Sequence, residues 1–205
     1  MAERFKEIFY EGLCFSVPEC VYEPAEDTFL LARNLVVYDG EAVLDVGTGC
    51  GILAVLAAFR ASYVLAIDIN PYAVRCAKEN AKRNGVLGRI DFICGSLFDP
   101  LRARLSFDLI LFNAPYLPVE GEPKSWLEYA WAGGRDGRRV IDAFLDEFTK
   151  YLKPGGRLLL IQSSLSDIDK TMLTLTGKGF RVELVDSVKS FFETIALIRA
   201  VKSSC

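Results

Sequence analysis

The chain alternates between short apolar runs and longer segments in which apolar residues recur every three or four positions. The short runs predict buried strands, and the longer spacing predicts amphipathic helices. The predicted strands cover residues 42–46, 62–69, 89–94, 107–112, 156–162, 180–185 and 191–201. The predicted helices cover residues 27–38, 51–60, 71–85, 137–152 and 167–177, with Asp136 as N-cap of the fourth. Strand and helix therefore alternate from about Glu41 to the end of the chain.

This alternation of apolar strands with helices indicates a mostly parallel sheet covered by helices. The last two strands are too close in sequence for a helical crossover, so we expect them to pair antiparallel. The pattern predicts a seven-stranded, Rossmann-like α/β fold with an antiparallel last strand. At 205 residues the chain fits a single domain, residues 1–205. Residues 1–38 form an N-terminal extension whose helix lies over the active edge of the sheet, and residues 39–205 form the core.

A glycine-rich loop follows the first predicted strand and opens the next helix. Its sequence, DVGTGCG, covers residues 45–51. Glycines at this point let the backbone approach a ligand closely, although a dinucleotide site or a plain tight turn has a similar pattern. An acidic residue, Asp45, two positions before the first glycine favours S-adenosylmethionine over a nicotinamide, and we expect it to face the cationic methionine end. Asp68 ends the second strand, where a carboxylate can accept ribose hydroxyls, and Ser96 and Leu97 should lie along the adenine.

A second unusual stretch, Asn113-Ala114-Pro115-Tyr116, follows the fourth predicted strand. That strand ends beside the first strand, next to the topological switch point where ligands bind in such sheets. The Asn113 side-chain carbonyl and the Ala114 backbone carbonyl can both accept hydrogen bonds from one planar NH2 group. Pro115 stiffens the turn, and Tyr116 can stack on the flat face of the substrate group. The stretch therefore predicts a site that aims a nitrogen at a methyl group, although an ordinary turn would also use an asparagine.

Composition narrows the possible chemistry. The chain has no histidine, which excludes nucleophilic schemes that need a histidine base and also histidine metal sites. The six cysteines form no CxxC pair, so we expect no metal. The net charge of −3 does not indicate a nucleic-acid binder. No apolar run approaches 18 residues and no secretory signal is evident, so a cytoplasmic protein is expected.

Three separated motifs together resemble one enzyme family. Asn113-Ala114-Pro115-Tyr116 resembles the NPPY motif of amino-group methyltransferases. The stretches VYEPAEDTFLLARNL (21–35) and WAGGRDGRRVIDAF (131–144) resemble the HemK/PrmC family of release-factor glutamine N5-methyltransferases, in its short archaeal and eukaryotic branch. The resemblance extends from about Tyr22 to the final strand.

The resemblance implies a class I S-adenosyl-L-methionine-dependent methyltransferase. Such an enzyme methylates the side-chain amide of the glutamine in the GGQ tripeptide of a class I translation release factor. The implied catalytic residues are Asn113, Ala114, Pro115 and Tyr116. The implied cofactor residues are Tyr22, Thr28, Asp45, Gly47, Thr48, Gly49, Asp68, Ile69, Ser96, Leu97 and Asn113. The short branch also implies a heterodimer with a small zinc-binding activator that covers an exposed apolar sheet edge.

Two positions depart from the family pattern. Ala114 replaces the usual first proline, which keeps the carbonyl acceptor but removes rigidity. Ser96 stands in place of an aspartate and is a weaker acceptor for the adenine amino group. Two other acceptors remain open: an adenine amino group, which shares the planar NH2 geometry but would require a flipped base, and a protein lysine. Positive residues near the predicted site (Lys124, Arg135, Arg138 and Arg139) predict a substrate-docking surface or an ordinary solvated helix start.

Overall fold

The computed structural model describes residues 4–102, 105–189 and 192–203. Its main sheet has seven strands in the order β5-β4-β3-β6-β7-β9-β8, and a separate two-stranded hairpin is formed by β1 and β2. The strands are β1 (Phe5–Tyr10), β2 (Leu13–Pro18), β3 (Ala42–Val46), β4 (Tyr63–Asp68), β5 (Ile90–Cys94), β6 (Phe107–Asn113), β7 (Leu152–Ser163), β8 (Phe180–Lys189) and β9 (Thr194–Lys202). All seven strands expected from the sequence are therefore present in the main sheet.

Strand directions follow the prediction. Strands β5, β4, β3, β6 and β7 pair in parallel. The last strand, β9, runs antiparallel to both of its neighbours, β7 and β8. It starts at Thr194 in the structure; Phe191, the predicted first residue, lies outside the described residues. The Rossmann-like sheet with an antiparallel last strand is confirmed.

Helices cover the sheet between successive strands. They are α1 (Glu26–Arg33), α2 (Ile52–Ala58), α3 (Pro71–Arg83), α4 (Trp126–Tyr129), α5 (Arg139–Glu147) and α6 (Ile168–Gly177). Asn70 caps α3 by accepting a hydrogen bond from the Tyr72 N–H at 2.9 Å. The longest of these described helices, α3, has 13 residues, and none could cross a bilayer.

The fourth predicted helix, residues 137–152, was too long. Helix α5 ends at Glu147, and a short 3-10 helix follows at Phe148–Lys150. Leu152 already pairs with Phe107 at the start of β6, so the chain must leave the helix before that residue. The prediction of Asp136 as N-cap was also wrong, because Arg138 is the N-cap residue and Asp136 accepts from the Arg138 N–H instead.

The N-terminal segment has more structure than its sequence pattern indicated. The β1–β2 hairpin was not predicted, and it is fastened to α3 by side chains of that helix. The Asn80 Oδ1 atom accepts from the Ser16 N–H at 2.9 Å, and Asn84 Oδ1 accepts from the Cys14 N–H at 3.1 Å. Helix α1 ends five residues earlier than predicted. Its Leu30 is fully buried, so α1 packs into the hydrophobic core.

Topology determines where a ligand can bind. The chain builds β3, β4 and β5 on one side and then crosses to β6, which pairs with β3 on the other side. The order of strands therefore reverses between β3 and β6, and their carboxyl ends open a crevice. Phe112, the residue before Asn113, is held at the end of β6 by stacking on Phe144 at 4.3 Å between ring centroids. The predicted switch-point position of Asn113 is confirmed.

Candidate active site

A cavity of about 340 Å3 lies at the carboxyl ends of β3, β4 and β6. Its size is typical of a small-molecule site. The structure brings most of the predicted cofactor residues to its wall: Tyr22, Thr28, Gly47, Thr48, Gly49, Asp68, Ile69, Ser96, Leu97 and Asn113. Pro115, one of the four predicted catalytic residues, lines the same cavity. Of the predicted cofactor residues, Asp45 does not reach it.

The glycine-rich loop forms the floor of this cavity. Gly47 and Gly49 have φ angles of +69° and +57°, in the left-handed region that favours glycine. A Cβ atom at Gly47 would lie 3.7 Å from the Phe112 ring, which is ordinary contact. Backbone conformation rather than crowding therefore requires glycine here, and the loop leaves its backbone facing the cavity.

Asp68 links this loop to the start of α3. Its Oδ2 atom accepts a hydrogen bond from the Gly49 N–H and its Oδ1 atom accepts from the Asn70 N–H, each at 2.8 Å. Burial raises the pKa of the Asp68 carboxyl group, while these two backbone bonds favour the charged form. Each oxygen keeps a second lone pair, so the carboxylate can still accept from two hydroxyl groups in the cavity.

Asp45 is buried beneath the loop and is 1% exposed. Its Oδ2 atom accepts a hydrogen bond from the Thr48 hydroxyl at 2.7 Å, and its Oδ1 atom has no partner. Burial raises the pKa of this carboxyl group to about 7. The structure thus places Asp45 as a support of the loop, and its expected contact with a cationic ligand stays a prediction.

Leu97 lies on the cavity wall with a strained backbone. Its φ of +44° is rare for a residue with a branched side chain, and such strain persists only where the surrounding structure enforces it. Ser96 and Leu97 line the cavity together. The backbone after β5 therefore places both residues on the cavity wall.

Asn113 is the last residue of β6, and only the nitrogen of its side-chain amide has hydrogen-bond partners. Its Nδ2 atom donates hydrogen bonds to Asp27 Oδ2 and Thr28 Oγ1, both at 3.1 Å. Its Oδ1 atom is buried and has no partner. A buried carbonyl without a donor is costly, and native proteins seldom keep one without a reason. The amide therefore presents an acceptor that a ligand N–H could satisfy.

A second, smaller cavity of about 250 Å3 adjoins the first. Ala114 and Tyr116 line this cavity, together with Tyr22, Asp27, Leu117, Ala130 and Trp131. Tyr22 and Ala130 line both cavities. The four residues of the predicted catalytic stretch are thus divided, with Asn113 and Pro115 facing the first cavity and Ala114 and Tyr116 facing the second.

The sequence did not identify Asp27 as a site residue. Asp27 is 4% exposed, and its Oδ2 atom accepts from the Tyr22 hydroxyl at 3.1 Å and from the Tyr116 hydroxyl at 3.3 Å. Burial first, and then the charge of Asp27, raises the pKa of both phenols far above the ordinary value, with Glu193 adding to the effect. Asp27 lies in the first turn of α1, where an acidic residue is common. Its position in the sequence therefore did not mark it as a site residue.

The connection between β6 and α5 also contributes to the first cavity. Glu122, Trp126, Tyr129 and Arg139 lie on its wall, and the Arg139 guanidinium bonds both carboxylate oxygens of Glu122 at 2.8 Å. The connection therefore reaches the cavity through aromatic side chains. Within the described ranges, no three acidic, cysteine or histidine side chains gather as a metal site would require.

Arg138 is not part of a docking surface, and that expectation was wrong. Its side chain is 3% exposed. The guanidinium donates to the Asp167 backbone carbonyl at 2.8 Å and to the Thr171 hydroxyl at 3.1 Å, and it pairs with Asp142 at 2.7 Å. A buried guanidinium needs this many acceptors. Arg138 therefore anchors the start of α5 to α6, while Lys124 and Arg135 are exposed.

Sequence comparison identifies relatives that span nearly the whole chain. Residues 38–191 match the model of a family described as a methyltransferase domain. A protein of Methanocaldococcus jannaschii, provisionally named a protein N5-glutamine methyltransferase, is 42% identical over 193 residues, which is 93% of this chain and 96% of that protein. The human protein named methyltransferase HEMK2 is 34% identical over 89% of this chain and 90% of its own length.

The fold is similar to that of solved methyltransferases. The Mtq2–Trm112 complex of E. cuniculi, described as responsible for methylation of the translation termination factor eRF1, contains a chain with a TM-score of 0.70 and 26% identity. The match covers 89% of this chain and 99% of that one. With this fold, the family model and two relatives above 30% identity, the chain belongs to the HemK/PrmC family of glutamine methyltransferases, in its short archaeal and eukaryotic branch.

Proposed function

We propose that this protein transfers a methyl group from S-adenosyl-L-methionine to the side-chain amide nitrogen of the GGQ glutamine in a class I translation release factor. The observation that carries the proposal is the buried, unpartnered Oδ1 atom of Asn113. It is an unused acceptor on a residue that lines the first cavity, as an incoming NH2 group requires. The names of the relatives support the same acceptor.

The first cavity has the features that S-adenosyl-L-methionine needs. Gly47 and Gly49 present loop backbone to its methionine end, and the Asp68 carboxylate retains lone pairs for ribose hydroxyls. Leu97 would offer an apolar surface to the adenine, and the Ser96 hydroxyl would take the place of the family's aspartate. When bound, the sulfonium supplies the electrophilic methyl group. The binding site of the cofactor is thus proposed to be this cavity.

The protein's own contribution to transfer is orientation. An amide nitrogen is a weak nucleophile because its lone pair is delocalised into the carbonyl group. Two acceptors, Asn113 Oδ1 and the Ala114 carbonyl, would hold both hydrogens of the NH2 group and strengthen as the nitrogen becomes positive. The second cavity would hold the side chain that carries this group, with Tyr116 against it. Once the nitrogen has gained the methyl group it is strongly acidic and loses one proton to water. This mechanism therefore needs no general base of tuned pKa, in keeping with a chain that contains no histidine.

Lysine is a weaker candidate for the acceptor. The one carboxylate on the wall of the second cavity, among the described residues, is that of Asp27. Its Oδ2 atom already accepts three hydrogen bonds and its Oδ1 atom accepts two from Thr28. A carboxylate has about four lone-pair sites, so Asp27 has none left for an ammonium group. Asp27 therefore favours a neutral NH2 group over an ammonium group, although Glu193, whose charge also reaches Tyr22 and Tyr116, keeps a buried Oε2 atom without a partner.

The proposal is tested by locating the methyl group. Labelled S-adenosyl-L-methionine would be incubated with this protein, an activator subunit, and a release factor in complex with its GTP-bound partner. Mass spectrometry should place the label on the GGQ glutamine, and a release factor with that glutamine replaced should stay unlabelled. Transfer to adenine-containing nucleic acid or to a lysine, with none to the glutamine, would overturn the proposal.

Asp68→Asn is expected to weaken cofactor binding, both directly and because the new NH2 group must face the Gly49 or the Asn70 N–H. The substitution keeps the shape of the side chain but replaces one acceptor oxygen by a donor and removes the charge. Hydrogen bonds to a charged group contribute about 1.5–3 kcal/mol each, so the affinity should fall roughly 10- to 100-fold. Calorimetric titration with S-adenosyl-L-methionine measures the change, and an unaltered dissociation constant would remove Asp68 from the site.

We also propose a small zinc-binding subunit as partner. A related chain is part of a two-protein complex. Strands β5 and β8 leave two open edges on the main sheet, and Tyr38, Phe59 and Leu173 are among the exposed large apolar residues. Co-expression with such a subunit is expected to raise the soluble yield and the affinity for cofactor. Equal yield and affinity with and without it would contradict this part of the proposal.

A further inference from the structure

We propose that Asp27 is a positioning residue that determines which end of the Asn113 amide faces the substrate NH2 group. The proposal builds on the function proposed above and adds a residue that is not in the catalytic stretch. An asparagine amide has an oxygen and a nitrogen of nearly equal size, so its shape does not determine which one faces a cavity. The neighbours of the amide must determine it.

The contacts of Asn113 give the orientation a chemical cause. An ionised carboxylate can only accept hydrogen bonds, so the atom of Asn113 that faces Asp27 must be Nδ2, at 3.1 Å. The opposite orientation would place two acceptor oxygens against each other in a buried site. Burial strengthens both the favourable contact and the unfavourable one. Asp27 therefore keeps the Oδ1 atom of Asn113 directed toward the substrate NH2 group.

Thr28 holds the second hydrogen of the amide, and Asp27 controls that contact as well. The Thr28 hydroxyl donates to Asp27 Oδ1 at 3.2 Å and accepts from Asn113 Nδ2 at 3.1 Å. A hydroxyl with its single hydrogen committed to the carboxylate can offer only a lone pair to Asn113. Both hydrogens of Nδ2 are thus bound by acceptors that Asp27 supplies or orients.

The same carboxylate orients the wall of the second cavity. Tyr22 and Tyr116 donate their hydroxyl groups to the Oδ2 atom that also accepts from Asn113. Asp27 itself is fastened by the Thr28 N–H at 2.6 Å, in the first turn of α1. Side chains from two separate parts of the sequence, residues 22–28 and 113–116, therefore meet at one carboxylate. We infer that the fixed geometry of the acceptor site depends on this residue.

Asp27→Asn tests the inference with little change of shape. The new amide can donate to Asn113 Oδ1 and hold the Asn113 amide in the flipped orientation, which turns an NH2 group toward the substrate NH2 group. Removal of one oriented hydrogen-bonding group from a transition state costs about 100- to 1,000-fold in turnover, and partial flipping should give the lower end, about 100-fold. The dissociation constant for S-adenosyl-L-methionine should change much less than turnover.

A double-mutant cycle separates positioning from a general structural role. Turnover would be measured for wild type, Asp27→Asn, Asn113→Ala and the double variant, each with any activator subunit that wild type requires. If Asp27 acts through Asn113, the double variant should be no slower than Asn113→Ala alone. Losses that multiply, or an Asp27→Asn variant that turns over at the wild-type rate, would overturn the inference.

A substitute variant and the choice of methyl acceptor keep the test decisive. Thermal unfolding shows whether Asp27→Asn folds. If it does not, Thr28→Val takes its place in the cycle. The Thr28→Val substitution removes the second hydrogen-bond acceptor of Asn113 Nδ2 and should lower turnover about tenfold. The cycle is run on whichever acceptor wild type methylates. A wild-type enzyme that ignores the GGQ glutamine would therefore refute the proposed substrate without deciding the role of Asp27.

Discussion

Asn113→Ala is expected to lower turnover about 1,000-fold, at the upper end of the cost of removing one oriented hydrogen-bonding group from a transition state. The variant loses the buried acceptor Oδ1 and keeps the backbone carbonyl of Ala114. One hydrogen of the substrate NH2 group would then be unheld, and the nitrogen could rotate away from the methyl group. Single-turnover measurement with labelled S-adenosyl-L-methionine gives the rate of transfer directly.

Cofactor affinity distinguishes this effect from damage to the first cavity. Asn113 lies on the cavity wall, but the floor and the Asp68 carboxylate are formed by other residues, so the dissociation constant should rise much less than turnover falls. Asn84→Ala is a matched control. Asn84 also uses its side-chain amide, bonding the backbone of Cys14 far from the site, and its loss should reduce stability without slowing transfer. An Asn113→Ala variant with wild-type turnover would refute the mechanism.

The main sheet was predictable because each of its strands carries its own local signal. The strands β3, β4 and β6 are short apolar runs, buried on both faces by helices, and their bounds in the structure differ from the predicted ones by at most one residue. The β1–β2 hairpin gave no such signal, since β1 is largely exposed and its sequence mixes charged and apolar residues. It is bonded to Asn80 of α3 and to Asn84, the C-cap residue of that helix, and only the tertiary structure reveals these contacts.

The site was predictable where backbone conformation dictates the residue type. Gly47 and Gly49 need positive φ, and Asp68 ends the strand that follows the glycine-rich loop, so all three could be located from the sequence. Asp27 could not, because its importance comes from side chains 5, 86 and 89 positions away in sequence. Arg138 was misread for a similar reason. The charged residues around it, Arg135, Asp136 and Arg139, are exposed, whereas three of its acceptors lie 28 to 33 positions along the chain.

Gly137→Ala is expected to lower the free energy of unfolding by about 3 kcal/mol or more and to reduce transfer as well. Gly137 has a φ of +72°, and an added Cβ would lie 2.3 Å from the Tyr116 backbone oxygen and 2.9 Å from the Ser166 Cβ. Neither neighbour is free to move. Leu117, the residue after Tyr116, bonds Trp131 at 2.9 Å, and the Gln162 amide binds the Ser166 carbonyl at 2.6 Å. The clash must therefore displace the backbone of the catalytic stretch.

Thermal unfolding and turnover of the same preparation test this prediction together. In a chain of this size, a loss of 3 kcal/mol corresponds to a fall of about 6–12 °C in Tm. Gly177→Ala is the matched control, because that glycine lies in α6, has a negative φ and has no atom within 4 Å of an added Cβ. It should be neutral or slightly stabilising. If Gly137→Ala kept the wild-type Tm and turnover, the close packing of Gly137 on Tyr116 could not be what holds the catalytic stretch in place.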